Sequence, residues 1–296
     1  MVHNLMNPDV DSPSTPPGHL SVQESLGVPA WSGEPARRGD QPPRAGFLIV
    51  NADDWGRASD TTDRTLECIR GGSVSSVSAM VFMEDSNRAA TIVQEHAIEA
   101  GLHLNFTTPF SAGNCPSRLM ECQQKIARYL LRHRLAQVMF QPGLINAFEY
   151  VVVAQLDEFR RLYGTDPFRL DGHHHMHLCA NVLFQGLLPQ NTIVRRNFSF
   201  EAGEKSLWNR LYRRVVDRVL ARRHRLMDYF FSLVPLRPEG RLQRIFSLSR
   251  KYIVEVEAHP INQNEYDFLT EGGILRLSGD VRIASPSVIS REQSSI

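Results

Sequence analysis

Between residues 47 and 258 short apolar runs alternate with stretches of helical periodicity, and this alternation confines the chain to a parallel sheet covered by helices. Strands are expected near 47–53, 75–81, 101–107, 168–171, 192–194, 229–234 and 251–258. Helices are expected near 59–70, 86–96, 117–135, 144–163, 181–188, 206–226 and 240–250. About seven strand–helix units fall just short of the eight that close a (β/α) barrel, so an α/β barrel or near-barrel is the expected architecture. No short internal repeat interrupts the pattern.

Composition sets the outer limits. With 296 residues, 42% hydrophobic and 22% charged, the chain is long enough to bury a large core. The formal net charge of +1 gives no electrostatic case for nucleic acid. Basic runs such as Arg210-Leu211-Tyr212-Arg213-Arg214 are interleaved with Val215, Val216, Val219 and Leu220 at helical spacing, which reads as the solvated face of an amphipathic helix. Cys68, Cys115, Cys122 and Cys179 lack thiolate-zinc spacing and predict neither a Cys cluster nor a disulfide framework. No apolar stretch is long enough to span a membrane, and the N-terminus lacks the pattern of a secretory signal, so a cytoplasmic protein is expected. Residues 1–44 are rich in Pro, Ser, Gly and Asp without apolar periodicity. They are expected to form a disordered, flexible tail, with 45–296 as one domain.

Chemistry-bearing residues gather at the ends of the expected strands. The first strand ends in Asn51-Ala52-Asp53-Asp54-Trp55-Gly56, which sets two acids at the lip where parallel α/β folds build their sites. The third carries His103, which taken alone is more often a core histidine than a ligand. The fourth leads into Asp171-Gly172-His173-His174-His175-Met176-His177. If that run is extended, Asp171, His173, His175 and His177 share one face, as a divalent ion requires; a loop of solvated histidines is the plainer alternative. The last strand ends in His259-Pro260, and in a barrel its tip returns beside Asp53 and Asp54.

In these four pieces, spread in order over residues 47 to 265, the chain resembles the YdjC-like carbohydrate deacetylases, the family that includes chitooligosaccharide deacetylase and the hopanoid-associated deacetylase. The resemblance implies a deviant (β/α) barrel of the glycoside hydrolase/deacetylase type. It also implies one divalent metal ion, Mg or Zn, held by Asp54, His103 and His173. Asp53 would be the general base and His259 the partner acid. The expected substrate is a small N-acetylated sugar or glycoconjugate, and a homodimer is allowed. Trp55 stands where the family usually has Phe or Tyr, and Glu257 where it is commonly apolar.

The residues fit amide hydrolysis on their own terms. An Asp/His/His site leaves coordination positions for water and for an acetyl oxygen, a free carboxylate takes a proton, and an imidazole returns one to the amine. His175 and His177 are expected to orient the ligands from behind. Arg195 and Arg196 either meet the sugar, orient a carboxylate or lie on the surface. Two other readings stand beside this one: an amidohydrolase-like barrel using His173 and His175 as an HxH pair, and a sugar- or metal-binding protein without turnover.

Overall fold

The computed structural model describes residues 46–200 and 204–288. The expectation of a tail over residues 1–44 lies outside them. Seven parallel strands form one sheet in the order β5-β4-β3-β2-β1-β7-β6. They are β1 (Phe47–Trp55), β2 (Ser76–Ala79), β3 (Ala100–Leu104), β4 (Arg169–Gly172), β5 (Ile193–Val194), β6 (Tyr229–Ser232) and β7 (Ile253–Ala258). The connecting helices are α1 (Ser59–Arg70), α2 (Ser86–His96), α3 (Ser117–Leu130), α4 (Ile145–Tyr163), α5 (Ala180–Gln185), α6 (Leu207–Leu220) and α7 (Glu239–Leu248). Two further helices, α8 (Gln263–Thr270) and α9 (Gly273–Ser278), follow β7; among the described residues no strand follows to make the sequence pattern there legible.

The sheet curls until its edges meet through irregular backbone bonds rather than a regular strand pair. Arg225 exchanges bonds with Thr192 and Val194, and the Ser199 N–H reaches the Phe230 carbonyl at 2.7 Å. This is a deviant (β/α) barrel, with seven strands and an unladdered seam between β5 and β6. At its N-terminal end, Leu48 accepts from Ala284 and donates to Arg282, so residues 282–284 lie along β1 before β2 begins to pair with it.

Strand alternation separates two environments. Leu48, Val50, Val77, Leu102, Leu170, Val194, Val254 and Val256 face outward and form the main apolar core against the helices. The inward face is layered. Phe47, Ile49, Ile193, Met227 and Ile253 plug the bottom as a separate apolar cluster. Above them, Asn51, Ser78, Arg169 and Glu255 form a polar layer, and Asp53, His103, Asp171, Arg195 and Glu257 lie above that at the C-terminal mouth; all are buried. Room for the middle layer depends on Gly101, where a Cβ would stand 2.8 Å from the Arg169 carbonyl oxygen.

Candidate metal centre

The two acids of β1 differ because the backbone beneath them is irregular. Pairing of β1 with β2 shifts register between Ala52 and Trp55, and Asp54 adopts φ of +65° in the left-handed region that non-glycine residues rarely occupy. Asp53 therefore continues the inward-facing series of Asn51, and Asp54 is turned toward the mouth. The Asp54 Oδ2 accepts from Arg57 at 3.0 Å. Its Oδ1 lies 2.9 Å from His173 Nδ1 and 3.4 Å from His103 Nε2 but is buried without a hydrogen bond.

His103 is oriented from behind. Its Nδ1 is 2.6 Å from Asp171 Oδ1, and since a carboxylate only accepts, Nδ1 carries the proton and Nε2 faces Asp54. Burial disfavours the imidazolium of His103, but the Asp53 and Asp171 carboxylates outweigh it and raise its pKa to about 10 in the metal-free protein. Burial likewise pushes the Asp54 carboxyl up, and His173 and His103 more than reverse this, holding it well below the ordinary carboxylate range. A buried carboxylate oxygen that faces two imidazole nitrogens without a well-formed hydrogen bond suits a cation. Ligand atoms of Asp54, His103 and His173 all lie within 4.8 Å of one another. Asp53, His103 and Asp171 form an equally tight group, but arginines already occupy both of those carboxylates.

Asp53 is gripped by Arg195. The guanidinium donates to Oδ2 at 2.6 Å and to Oδ1 at 2.7 Å, and Asn51 donates to Oδ1 at 2.8 Å. Burial raises the Asp53 carboxyl, but Arg195 and His103 prevail and lower it to about 2. Arg195 is fully buried, so its surface reading is corrected: it also donates to Glu255 at 2.7 Å and lies 3.1 Å from Asp171. Arg196 points elsewhere, to Asp217 at 2.8 Å.

The histidine run is not extended. It forms a 3-10 turn over His173–Leu178, with His174 and His175 at φ of +53° and +56°, so the expected single face does not exist. Gly172 permits the fold-back, because a Cβ there would sit 3.0 Å from His177. His173 alone reaches Asp54. His174 meets Thr107 Oγ1 at 3.0 Å. His177 Nε2 donates to the Arg195 carbonyl at 2.9 Å. His175 turns to Glu257 at 3.6 Å, with its ring against Phe198. His173 and His175 therefore do not converge as an HxH pair. Among the described residues the hydrogen-bond and charge partners of His177 and His175 are the Arg195 carbonyl and Glu257, not Asp54, His103 or His173; Asp171 orients His103 instead. His259 follows β7 beside β1, half-buried; burial disfavours its charged form, but Glu257 and Asp53 outweigh this and raise its pKa.

Asp171, expected on one face with the histidines, instead stands behind His103, and sequence reasoning gave no role to Arg169 and Glu255. A signal was present: Asn51/Asp53, Ser76/Ser78, Arg169/Asp171 and Glu255/Glu257 are polar pairs at i, i+2, each marking one face of a strand.

The family model for YdjC-like proteins matches residues 47–271, which span every strand and candidate site residue just described. The chain belongs to the YdjC-like family. Chitooligosaccharide deacetylases of Yersinia pestis (strain Pestoides F) and Yersinia pseudotuberculosis (serotype O:3, strain YPIII) are each 30% identical over 139 residues, 46% of this chain and 52% of the relative. The chain thus spans about half the length of the curated relatives it matches. A crystal structure from Enterococcus faecalis V583, of a protein provisionally described as a cellobiose-phosphate cleavage protein, superposes with a TM-score of 0.56 at 17% identity. It covers 83% of this chain and 99% of that one, a likeness of fold.

Proposed function

We propose that this YdjC-like protein is a metal-dependent hydrolase that removes the N-acetyl group from an acetylated amino sugar or glycoconjugate. The observation that carries the reading is the buried Asp54 Oδ1, without a well-formed hydrogen bond and facing His103 and His173, with a second ionised carboxylate, Asp53, beside it. A binding protein has no need of that second acid. Two imidazoles and one carboxylate favour zinc or another first-row ion over magnesium, which prefers an all-oxygen shell. Such an ion supplies positive charge that polarises an acetyl carbonyl and makes a bound water more acidic.

The chain's own residues do the rest. Asp53, fixed by both arms of Arg195, is held ready to accept a proton from the attacking water. His259, its charged form favoured by nearby carboxylates, donates a proton to the departing amine. Free Cys68, Cys115, Cys122 and Cys179 suit a reducing, cytoplasmic setting. Among the described residues no helix is long and apolar enough to cross a membrane.

The test is acetate release from a panel of N-acetylated sugars, with bound metal measured on the same samples. Release should require one divalent ion per chain and should fall with His259→Ala while the ion stays bound. Full metal retention by the His103→Ala, His173→Ala double variant would remove the assignment.

A further inference from the structure

Helix α6 covers the barrel with only two fully buried side chains, Val216 and Leu220. The rest of its apolar surface is bare. Trp208 is 80% exposed, and Leu211, Tyr212, Val215 and Val219 are exposed beside it. At 100° per residue these five form one stripe roughly 100° wide. Arg210, Arg214 and Arg218 run along its outer edge, and Arg214 and Arg218 are exposed without an ion pair among the described residues. Between residues 207 and 225 there are seven arginines and one carboxylate, in a chain of net charge +1. That carboxylate, Asp217, is held by Arg196 at 2.8 Å. The apolar surface continues onto α5, since Leu183 and Val219 line one cavity between the two helices. The helix is fastened to the barrel by its buried side and by Arg213, whose guanidinium covers the Phe200 ring at 5.0 Å.

We infer that the α6 face is a peripheral docking surface for an anionic lipid bilayer, with Trp208, Leu211, Val215 and Val219 entering the interface and the arginine row meeting the headgroups. The inference goes beyond the proposed deacetylation and does not depend on it. Charge complementarity selects this occupant. A second copy would cover the stripe but set two arginine rows against each other. Nucleic acid would satisfy the arginines and leave an aromatic and aliphatic stripe in water. An amphipathic helix with Trp and Leu on one side and Arg along the edge fits a bilayer surface on both counts.

The experiment uses the full-length chain carrying Trp31→Phe, so that fluorescence reports Trp208 above the constant signal of buried Trp55. Phosphatidylcholine vesicles with phosphatidylglycerol should pull the protein into the vesicle pellet and blue-shift its emission; pure phosphatidylcholine vesicles should do neither. Each arginine near an anionic surface is worth about a fivefold factor in partitioning, so Arg214→Gln with Arg218→Gln should lower it about 25-fold. Trp208→Ser with Leu211→Ser should abolish the blue shift, and both variants should melt with the parent because the side chains are exposed. Three results would overturn the inference: equal behaviour with both vesicle types, a dimer that Trp208→Ser dissolves, or Trp208 shielded from acrylamide before any vesicle is added. The second would assign the face to another copy, and the third to a segment of the chain itself.

Discussion

Exchanging Asp53 for Asn tests the division between the two adjacent acids most sharply. The carboxylate is held by Arg195 at 2.6 and 2.7 Å and by Asn51 at 2.8 Å. Its pKa falls from 3.8 to about 2 in the metal-free fold, because Arg195 and His103 outweigh the opposing effect of burial. A difference of nearly two pH units corresponds to about 2–3 kcal/mol. Because the folded value is depressed, that stability is fully present above pH 3.8 and is lost as pH falls through about 2. Asp53→Asn should therefore unfold about 2–3 kcal/mol more easily at neutral pH, with the gap narrowing below pH 3.8. It should keep its metal and lose activity by about 10²–10⁴-fold, the usual worth of general acid–base catalysis. Asp54→Asn should instead weaken metal binding, with activity partly restored by excess ion. Urea denaturation, metal content and acetate release on both variants read all three quantities. If Asp53→Asn loses the ion and Asp54→Asn keeps it, the roles are exchanged; normal turnover in both means the chemistry lies elsewhere.

Other expectations follow from the same geometry. Asp171→Asn should lower metal affinity about 10–100-fold, as loss of a partner behind a ligating histidine usually does; competition with a chelator measures it. Gly101→Ala should destabilise by about 1–3 kcal/mol through overpacking against the Arg169 carbonyl. Gly113→Ala, with nothing within 4 Å of the new Cβ, should leave the melting temperature unchanged. Burial and the neighbouring Asp53 push the Glu257 carboxyl from 4.5 up to about 8. A raised carboxyl costs the metal-free fold stability as pH rises from 4.5 to about 8, so Glu257→Gln should flatten that decline when denaturation is followed across the range.

The strands were legible because each outward face is an apolar, mostly β-branched or leucine-rich series, and α1 and α2 fall where periodicity set them. Helix α6 is shorter than expected, ending at Leu220 rather than near 226, because residues 223–225 leave the helix to bridge β5. Of the two alternatives for the histidine run, the extended one fails for a physical reason. Strand alternation holds only while the backbone stays in the β region, and here the chain turns immediately after Gly172 with two consecutive left-handed residues. His173 still comes within reach of Asp54 and His103 because it opens the turn, ahead of the two left-handed residues. That Arg195 could orient a carboxylate was legible, but not which one, since nothing near it in sequence shows that Asp53 lies across the barrel from β5.

Within the barrel, the cations decide what each carboxylate can do. Arg195 engages both oxygens of Asp53, which fixes that group in place and keeps it from closing on an ion as a strong ligand. Arg57 engages only the Oδ2 of Asp54 and leaves Oδ1 to the imidazoles. Arg195 is in turn held by Glu255, and Arg169 bridges Glu255 to Asp171, which orients His103. One connected set of buried ion pairs thus reaches both the proposed base, Asp53, and the proposed metal ligand, His103. Such a set is a weak source of stability, since desolvating the charges offsets much of their attraction. Its value is geometric: Asp54 sits on left-handed backbone and His173 is followed by two left-handed residues, and a rigid charged layer beneath them holds the mouth of the barrel in that shape.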